Sequence, residues 1–180
     1  MSTSGSTYFL DHADAQPVRA TFAVIVDNQP GVLHRIVGLF AARGYNIESL
    51  TVAETDRSAH TSRITIVTRG TPQALAQIEA QLQKLVSTRD VHNVTADPNG
   101  AERELALVKV RGEGADRDEA LRIAETFGAR VIDTTATSLI FEITGDPGEV
   151  DSFASLMRPI GLVEISRTGV LSIRRGEARS

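Results

Sequence analysis

Residues 18–44 read VRATFAVIVDNQPGVLHRIVGLFAARG, and the change of period inside this stretch decides the fold. VRATFAVIVD is a nearly continuous β-branched and apolar run, the pattern of a strand covered on at least one face. NQPG breaks it, because Pro30 fixes φ and suits the first turn of a helix while Gly31 lets the backbone approach a neighbour closely. In VLHRIVGLFAARG the apolar residues Leu33, Ile36, Val37 and Phe40 return at helical spacing. Gly44 stands where a left-handed cap would end an amphipathic helix of about three turns.

Working outward, NIESLTVAETD reads as a second strand in which Ile47 and Leu50 have opposite parity, which predicts a bulge or an edge position. HTSRITIVTRG alternates as a third strand, joined to the second as a hairpin. Thr71 before Pro72 is an N-cap with proline at the first helical position, and Leu75, Ile78, Leu82 and Leu85 form one helical face. DVHNVTAD closes a βαββαβ unit over residues 18–97. PNGAE, at 98–102, is a turn-rich junction and is expected to be a linker.

The order then repeats over residues 103–176. RELALVKVR is a strand, and DRDEALRIAETFGA is a helix that Asp116 and Glu119 would open as a capping box. RVIDTT and TSLIFEIT make a hairpin. Val150, Phe153, Met157 and Ile160 repeat the spacing of the earlier helical face, and VEISRTGVLSIRR reads as the last strand. The fold class is α+β, with two tandem ferredoxin-like βαββαβ units, each an antiparallel sheet with both helices on one face. The other face is bare. Units of about 75 to 80 residues bury little surface, so that face or a sheet edge is expected to be covered by a partner.

Composition narrows the function. With 180 residues, 41% hydrophobic and 23% charged, the chain fits a packed globular protein of one or two domains. It has no cysteine, which excludes disulfides, thiolate metal sites and cysteine nucleophiles. The net charge of −4 and the absence of Trp speak against nucleic acid as a partner, and no apolar run is long enough to span a membrane. Residues 1–17 lack the features of a secretory signal and are read as a flexible tail, as are 177–180.

The chemistry concentrates in NQPG, between a strand end and a helix start, where unpaired N–H groups and the helix dipole attract an anion. A carboxylate would fit. Asn28 offers a donor and an acceptor to an amino acid, and Asn46 has the same capacity. Either pairs with a ligand or merely orders its turn, and spacing alone leaves both open. In the second unit GEGADRDEA sets Glu113, Asp116, Asp118 and Glu119 at the equivalent place, which would repel a carboxylate, so one effector site per chain is expected. The histidines at 12, 34, 60 and 92 have no metal-site spacing. No nucleophile constellation is present, and Glu48 and Glu54 read as sheet-edge charges.

A family resemblance rests on these residues: DNQPGVLHRIVGLFAARGYNIESLTVAETD, SRITIVTRG, QIEAQLQKLVSTRDVHNV, REL.LVKV (the dot marking Ala106), RDEALRIAETFGARVID and SRTGVLSIRRG. The chain resembles the small regulatory subunits of acetolactate synthase, whose first unit is an ACT domain. The resemblance implies a non-catalytic chain that activates a catalytic large subunit and confers feedback inhibition by valine, or by another branched-chain amino acid, in branched-chain amino-acid biosynthesis. Thiamine diphosphate, Mg2+ and FAD would sit on the large subunit, with no cofactor on this chain. The implied form is a cytoplasmic homodimer built through the ACT domain, with valine held between two copies. Asn28, Gly31, Val32 and Leu33 match the loop side of that site, and Asn46 and Ile47 match the opposite side. Gln29-Pro30 is one of several variants of the loop. A free-standing ACT-domain amino-acid sensor is the alternative; an RNA-binding ferredoxin-like module is disfavoured, since SRITIVTRG has no aromatic stacking residues.

Overall fold

In β1 (Val18–Asp27) Phe22, Val24 and Val26 are fully buried on one face, and Thr21 and Ala23 are buried on the other. A strand sealed on both sides is therefore the centre of the first unit. The computed structural model describes residues 16–176; the expected tails at 1–17 and 177–180 lie outside it except for Gln16 and Pro17. After β1 come α1 (Val32–Ala42), β2 (Ile47–Asp56), β3 (Thr61–Gly70), α2 (Pro72–Gln83) and β4 (Thr88–Asn93). The sheet order is β2-β3-β1-β4, all antiparallel, with Phe22 opposite Ile66 and Val24 opposite Ile64. These side chains meet Ile36, Phe40, Ile78 and Leu82 from the helices in one core.

β2 is the edge strand, and its pairing with β3 shifts register between Ile47 and Ser49 and again between Glu54 and Asp56. The opposite parity of Ile47 and Leu50 thus reports both an edge and a bulge. Thr71 caps α2 by accepting from the Ala74 N–H at 3.2 Å. The buried face of α1 differs from the expected one. Val32, Ile36, Leu39 and Phe40 are buried, whereas Leu33 and Val37 are 38% and 37% exposed. The helix is apolar over more than half its circumference, so the expected set mixed the core face with its flank.

The second unit contains β5 (Gly100–Arg111), α3 (Gly114–Thr126), β6 (Arg130–Thr134), β7 (Ser138–Gly145), α4 (Pro147–Met157), β8 (Leu162–Arg167) and β9 (Leu171–Arg174). Its sheet runs β6-β7-β5-β8. Phe141 and Phe153 meet edge to face at 5.9 Å in a core with Val108, Val150 and Met157. Three expectations are corrected here. The helix α3 starts earlier than Asp116: its N-cap is Glu113, without a side-chain cap, because Gly114 at φ 53° already turns the chain. A true capping box opens α4 instead, where Asp146 and Glu149 bond each other's backbone N–H groups at 2.9 and 2.7 Å. The last strand of the sequence reading is two strands, broken at Gly169, and β9 leaves the second sheet to pair with Gly100–Arg103.

That break covers the bare face of the first sheet. β5 begins inside the expected linker 98–102, and its first residues form a ribbon with β9 lying against the sheet side that faces away from α1 and α2. Arg19 pairs with Glu102 at 2.8 Å, Ser49 Oγ accepts from the Val170 N–H at 3.1 Å, and Arg63 reaches Ser172 at 3.5 Å. Thr21, Ala23, Thr65 and Val67 on that face are buried, together with Val170. The chain itself therefore supplies much of the cover that a partner was expected to supply.

Candidate functional site

The turn between β1 and α1 is held on several sides before any ligand is considered. Asp27 accepts from Arg89 Nε at 2.6 Å, and Arg89 also donates to the carbonyl of Ala59 at 3.2 Å. The Asn28 N–H donates to the His60 carbonyl at 2.7 Å, tying the turn to the β2–β3 hairpin. That hairpin is fixed by Asp56, whose carboxylate accepts from the Ser58 hydroxyl and from the N–H groups of Ala59 and Ser58. Those hydrogen bonds, the Ser58 hydroxyl foremost, hold its pKa below the ordinary aspartate value.

Gly31 is the N-cap of α1 at φ 84°, a conformation a side chain adopts only with strain. It makes no side-chain cap, so the first turn keeps its donors. Among the described residues the N–H groups of Leu33 and His34 find no acceptor, which leaves the positive end of α1 open to an anion. Asn28 Nδ2 donates to Glu54 Oε1 at 3.2 Å. Its second amide hydrogen and its Oδ1 remain available. Glu54, read from sequence as an edge charge, thus stands beside the loop; what would have signalled it is the hairpin topology, which returns the end of β2 to the end of β1. Glu48 is an edge charge paired with Arg69 at 2.7 Å.

One chain does not bring all six expected residues together. Asn28, Gly31, Val32 and Leu33 lie at the end of β1, whereas Ile47 pairs with Thr68, which pairs with Ala20 near its beginning. From Ala20 to Asp27 along an extended strand is roughly 23 Å, at about 3.3 Å per residue. Asn46 is exposed at that far end, its carbonyl accepting from the Thr68 hydroxyl at 2.6 Å. A two-fold arrangement of two copies along the edge strand β2 would set the start of β2 in one copy against its Glu54–Asp56 end, and so against the loop, in the other.

A second concavity of about 440 Å³ lies between the two units. Arg19, Arg69 and Arg167 line it, but Glu102, Glu48, and Glu104 with Asp151 respectively pair with them. Its cations are all paired, and of these pairs Arg19–Glu102 alone reaches from one unit to the other. In the second unit the loop equivalent to NQPG is also open at Gly114, but Asp116 stands in the first helical turn and makes that end unfavourable for an anion, while Arg117 donates to the Thr135 carbonyl at 3.0 Å.

The comparisons with known proteins agree with this fold. A family model described as "AHAS small subunit-like ACT domain" matches residues 22–90, and one described as "Small subunit of acetolactate synthase" matches 103–176. The chain is 42% identical over 162 residues to a probable acetolactate synthase small subunit of Archaeoglobus fulgidus, covering 90% of this chain and 100% of that protein. It is 43% identical over 163 residues to the acetolactate synthase isozyme 3 small subunit of Escherichia coli, covering 89% and 98%. The crystal structure of the acetolactate synthase small subunit from Thermotoga maritima superposes with a TM-score of 0.77 at 36% identity, covering 89% and 99%. A ferredoxin-like unit with an open glycine turn at its first helix, matched by that model, is an ACT domain, here joined to a second unit of similar order. With identity of this extent along both units, the chain belongs to the family of acetolactate synthase small subunits.

Proposed function

We propose that this chain activates a catalytic large subunit of acetolactate synthase, which joins two pyruvates to 2-acetolactate with loss of CO2, and that it makes that reaction sensitive to valine. The large subunit holds thiamine diphosphate, Mg2+ and FAD in this reading, and this chain contributes no reacting group. The chain works in the cytoplasm as a homodimer through its ACT domains. Valine sits between two copies, with Asn28, Gly31, Val32 and Leu33 from one and Asn46 and Ile47 from the other.

The observation that carries this reading is the loop at residues 28–31, with Gly31 at φ 84°, open N–H groups at the first turn of α1 and a neutral amide beside them. Those groups complement an α-carboxylate and an α-ammonium. The half-exposed Leu33 beside the loop offers apolar contact to a branched side chain. The edge strand β2 supplies the pairing surface that would bring the second half of the site. Pyruvate consumption by the large subunit alone, by this chain alone and by the mixture, each with and without valine, tests the reading. Activation by this chain and valine inhibition only of the mixture are expected. Activity of this chain by itself, or a mixture no faster than the large subunit, would refute it.

A further inference from the structure

The SRTG segment at 166–169 is the motif that the proposed effector site leaves unused, and its geometry is specific. Arg167 and Thr168 belong rigidly to the second unit. Arg167 donates from Nε to the buried Glu104 at 2.8 Å and from Nη1 to Asp151 at 2.6 Å, and the Thr168 N–H donates to the Leu105 carbonyl at 3.0 Å. The next two residues pack against the first unit. Gly169, at φ 81°, lies so close to β2 that a Cβ would come within 2.7 Å of both Ser49 Oγ and Thr51 Oγ1. Ser49 Oγ accepts from the Val170 N–H at 3.1 Å, and Val170 is buried.

Ser49 is three residues from Asn46. Between them the pairing of β2 with β3 slips by one residue, at the bulge that leaves Glu48 outside the ladder. A bulge is the soft point of a strand, where twist can change without breaking the pairs beyond it. Ser49 is the first paired residue on the far side. A ligand that fixes Asn46 and Ile47 sets the twist at this point, and the first group displaced is the one holding Val170. Because Arg167 and Thr168 are anchored in the second unit, movement of Gly169 and Val170 is movement of that unit. The contact lies on the face of the first sheet, so the outer edge of β2 stays free for a second copy.

We infer that the Ser49–Val170 clasp, closed over Gly169, is the link through which valine bound at the start of β2 repositions the second unit. This rests on the effector reading above, which places valine against Asn46 and Ile47. Ser49 is on this account a positioning residue whose loss separates binding from inhibition.

The test uses the complex of this chain with its large subunit, comparing the unmodified chain with Ser49→Ala, which removes the acceptor without bulk, and Gly169→Ala, which forces the strands apart. Valine binding to the isolated chain is measured by calorimetry, and residual activity of the complex is measured at saturating valine. For Ser49→Ala, binding within about twofold of the unmodified chain is expected. The balance of active over inhibited complex should rise about 2- to 12-fold, the worth of one neutral hydrogen bond. Gly169→Ala should raise residual activity further, and if it fails to fold Ser49→Ala still decides. An inhibited floor unchanged in Ser49→Ala overturns the inference, as does loss of valine binding, which would make Ser49 part of the site itself. Loss of activation in the absence of valine overturns it too, by placing the clasp on the activating surface. If the unmodified chain neither binds valine nor confers inhibition, the effector reading has failed first.

Discussion

Replacing Gly31 by Ala and by Asp separates backbone strain from charge at the proposed effector loop. A Cβ built on Gly31 meets nothing within 4 Å, so in the isolated chain neither substitution is excluded by bulk. What both share is φ 84°, which costs an L-residue about 1 to 2 kcal/mol. For a unit of this size about 1 kcal/mol lowers the melting temperature by roughly 4 to 8 °C. Aspartate recovers part of that cost, because it tolerates the left-handed region better than alanine and its charge gains about 0.3 to 1 kcal/mol at a helix N-terminus. The stability order is therefore the unmodified chain, then Gly31→Asp, then Gly31→Ala.

Valine affinity should follow a different order. The Asp carboxylate occupies the positive end of α1 where the ligand carboxylate is proposed to lie. Two like charges about 4 Å apart repel by about 1 to 4 kcal/mol between bulk water and a protein surface. Affinity then falls about 5- to 700-fold beyond any effect seen in Gly31→Ala. Thermal melts and calorimetric titration of valine on the isolated chains measure both orders. The two orders cross for Ala and Asp. If Gly31→Asp binds valine as tightly as Gly31→Ala, no carboxylate is held at this helix end and the placement of the site is refuted.

Asn28→Ala removes a hydrogen bond to a charged ligand group worth about 1.5 to 3 kcal/mol, so valine titration of the complex should show inhibition weakened roughly 10- to 150-fold with activation intact. Arg167→Met strips the buried Glu104 of its cation and should cost about 3 kcal/mol or more in chemical denaturation, whereas a double change to Arg167→Met and Glu104→Gln should recover part of it. Asp97 accepts from the Asn99 N–H, Arg174 and His92, and these bonds, the Asn99 N–H first, hold its pKa below the ordinary aspartate value. Its contribution is therefore complete above the unfolded pKa of about 4 and is lost as pH falls through the lower folded value, so the melting-temperature gap between the unmodified chain and Asp97→Asn should be constant at neutral pH and close in acid.

Much of this architecture was legible because local chemistry and tertiary structure agree. Thr71-Pro72 and the face Leu75, Ile78, Leu82 specify α2 and its cap, and the structure places them so. Failures came where local pattern was ambiguous. Asp116 and Glu119 have capping-box spacing, yet Gly114 turns the chain first, while Asp146 and Glu149 carry the same spacing with Pro147 at the first helical position. VEISRTGVLSIRR alternates well enough for one strand, but a glycine inside a strand marks a close backbone approach, and Gly169 makes one against Ser49. The loop half of the candidate site could be nominated from sequence because it is contiguous. Its relation to Asn46 could not, since a single chain holds the two halves at opposite ends of the sheet.

The two units share an order of elements but not the charge at their first helix, and the difference lies in one side chain. At Gly31 the space beyond Cα is open, and no side chain caps the helix. At Gly114, which opens α3, the space beyond Cα is open as well and no side chain caps the helix, but the first turn carries Asp116, and the Arg117 side chain folds onto Thr134 and Thr135. An anion offered to α3 would meet Asp116 in its first turn. The helix N-terminus of the second unit already carries a negative charge, whereas that of the first has no acidic residue in its first turn. If an effector acts only on the first unit, its effect must cross to the second through covalent or packed connections. The ribbon of β5 and β9 supplies them, with the Arg19–Glu102 pair at one point and the Ser49–Val170 hydrogen bond at another. Of these two, only Ser49 lies on the strand that Asn46 leads into and Ile47 begins, so sensitivity to a ligand at the start of that strand should be lost by cutting the Ser49 contact and retained on cutting the Arg19 pair.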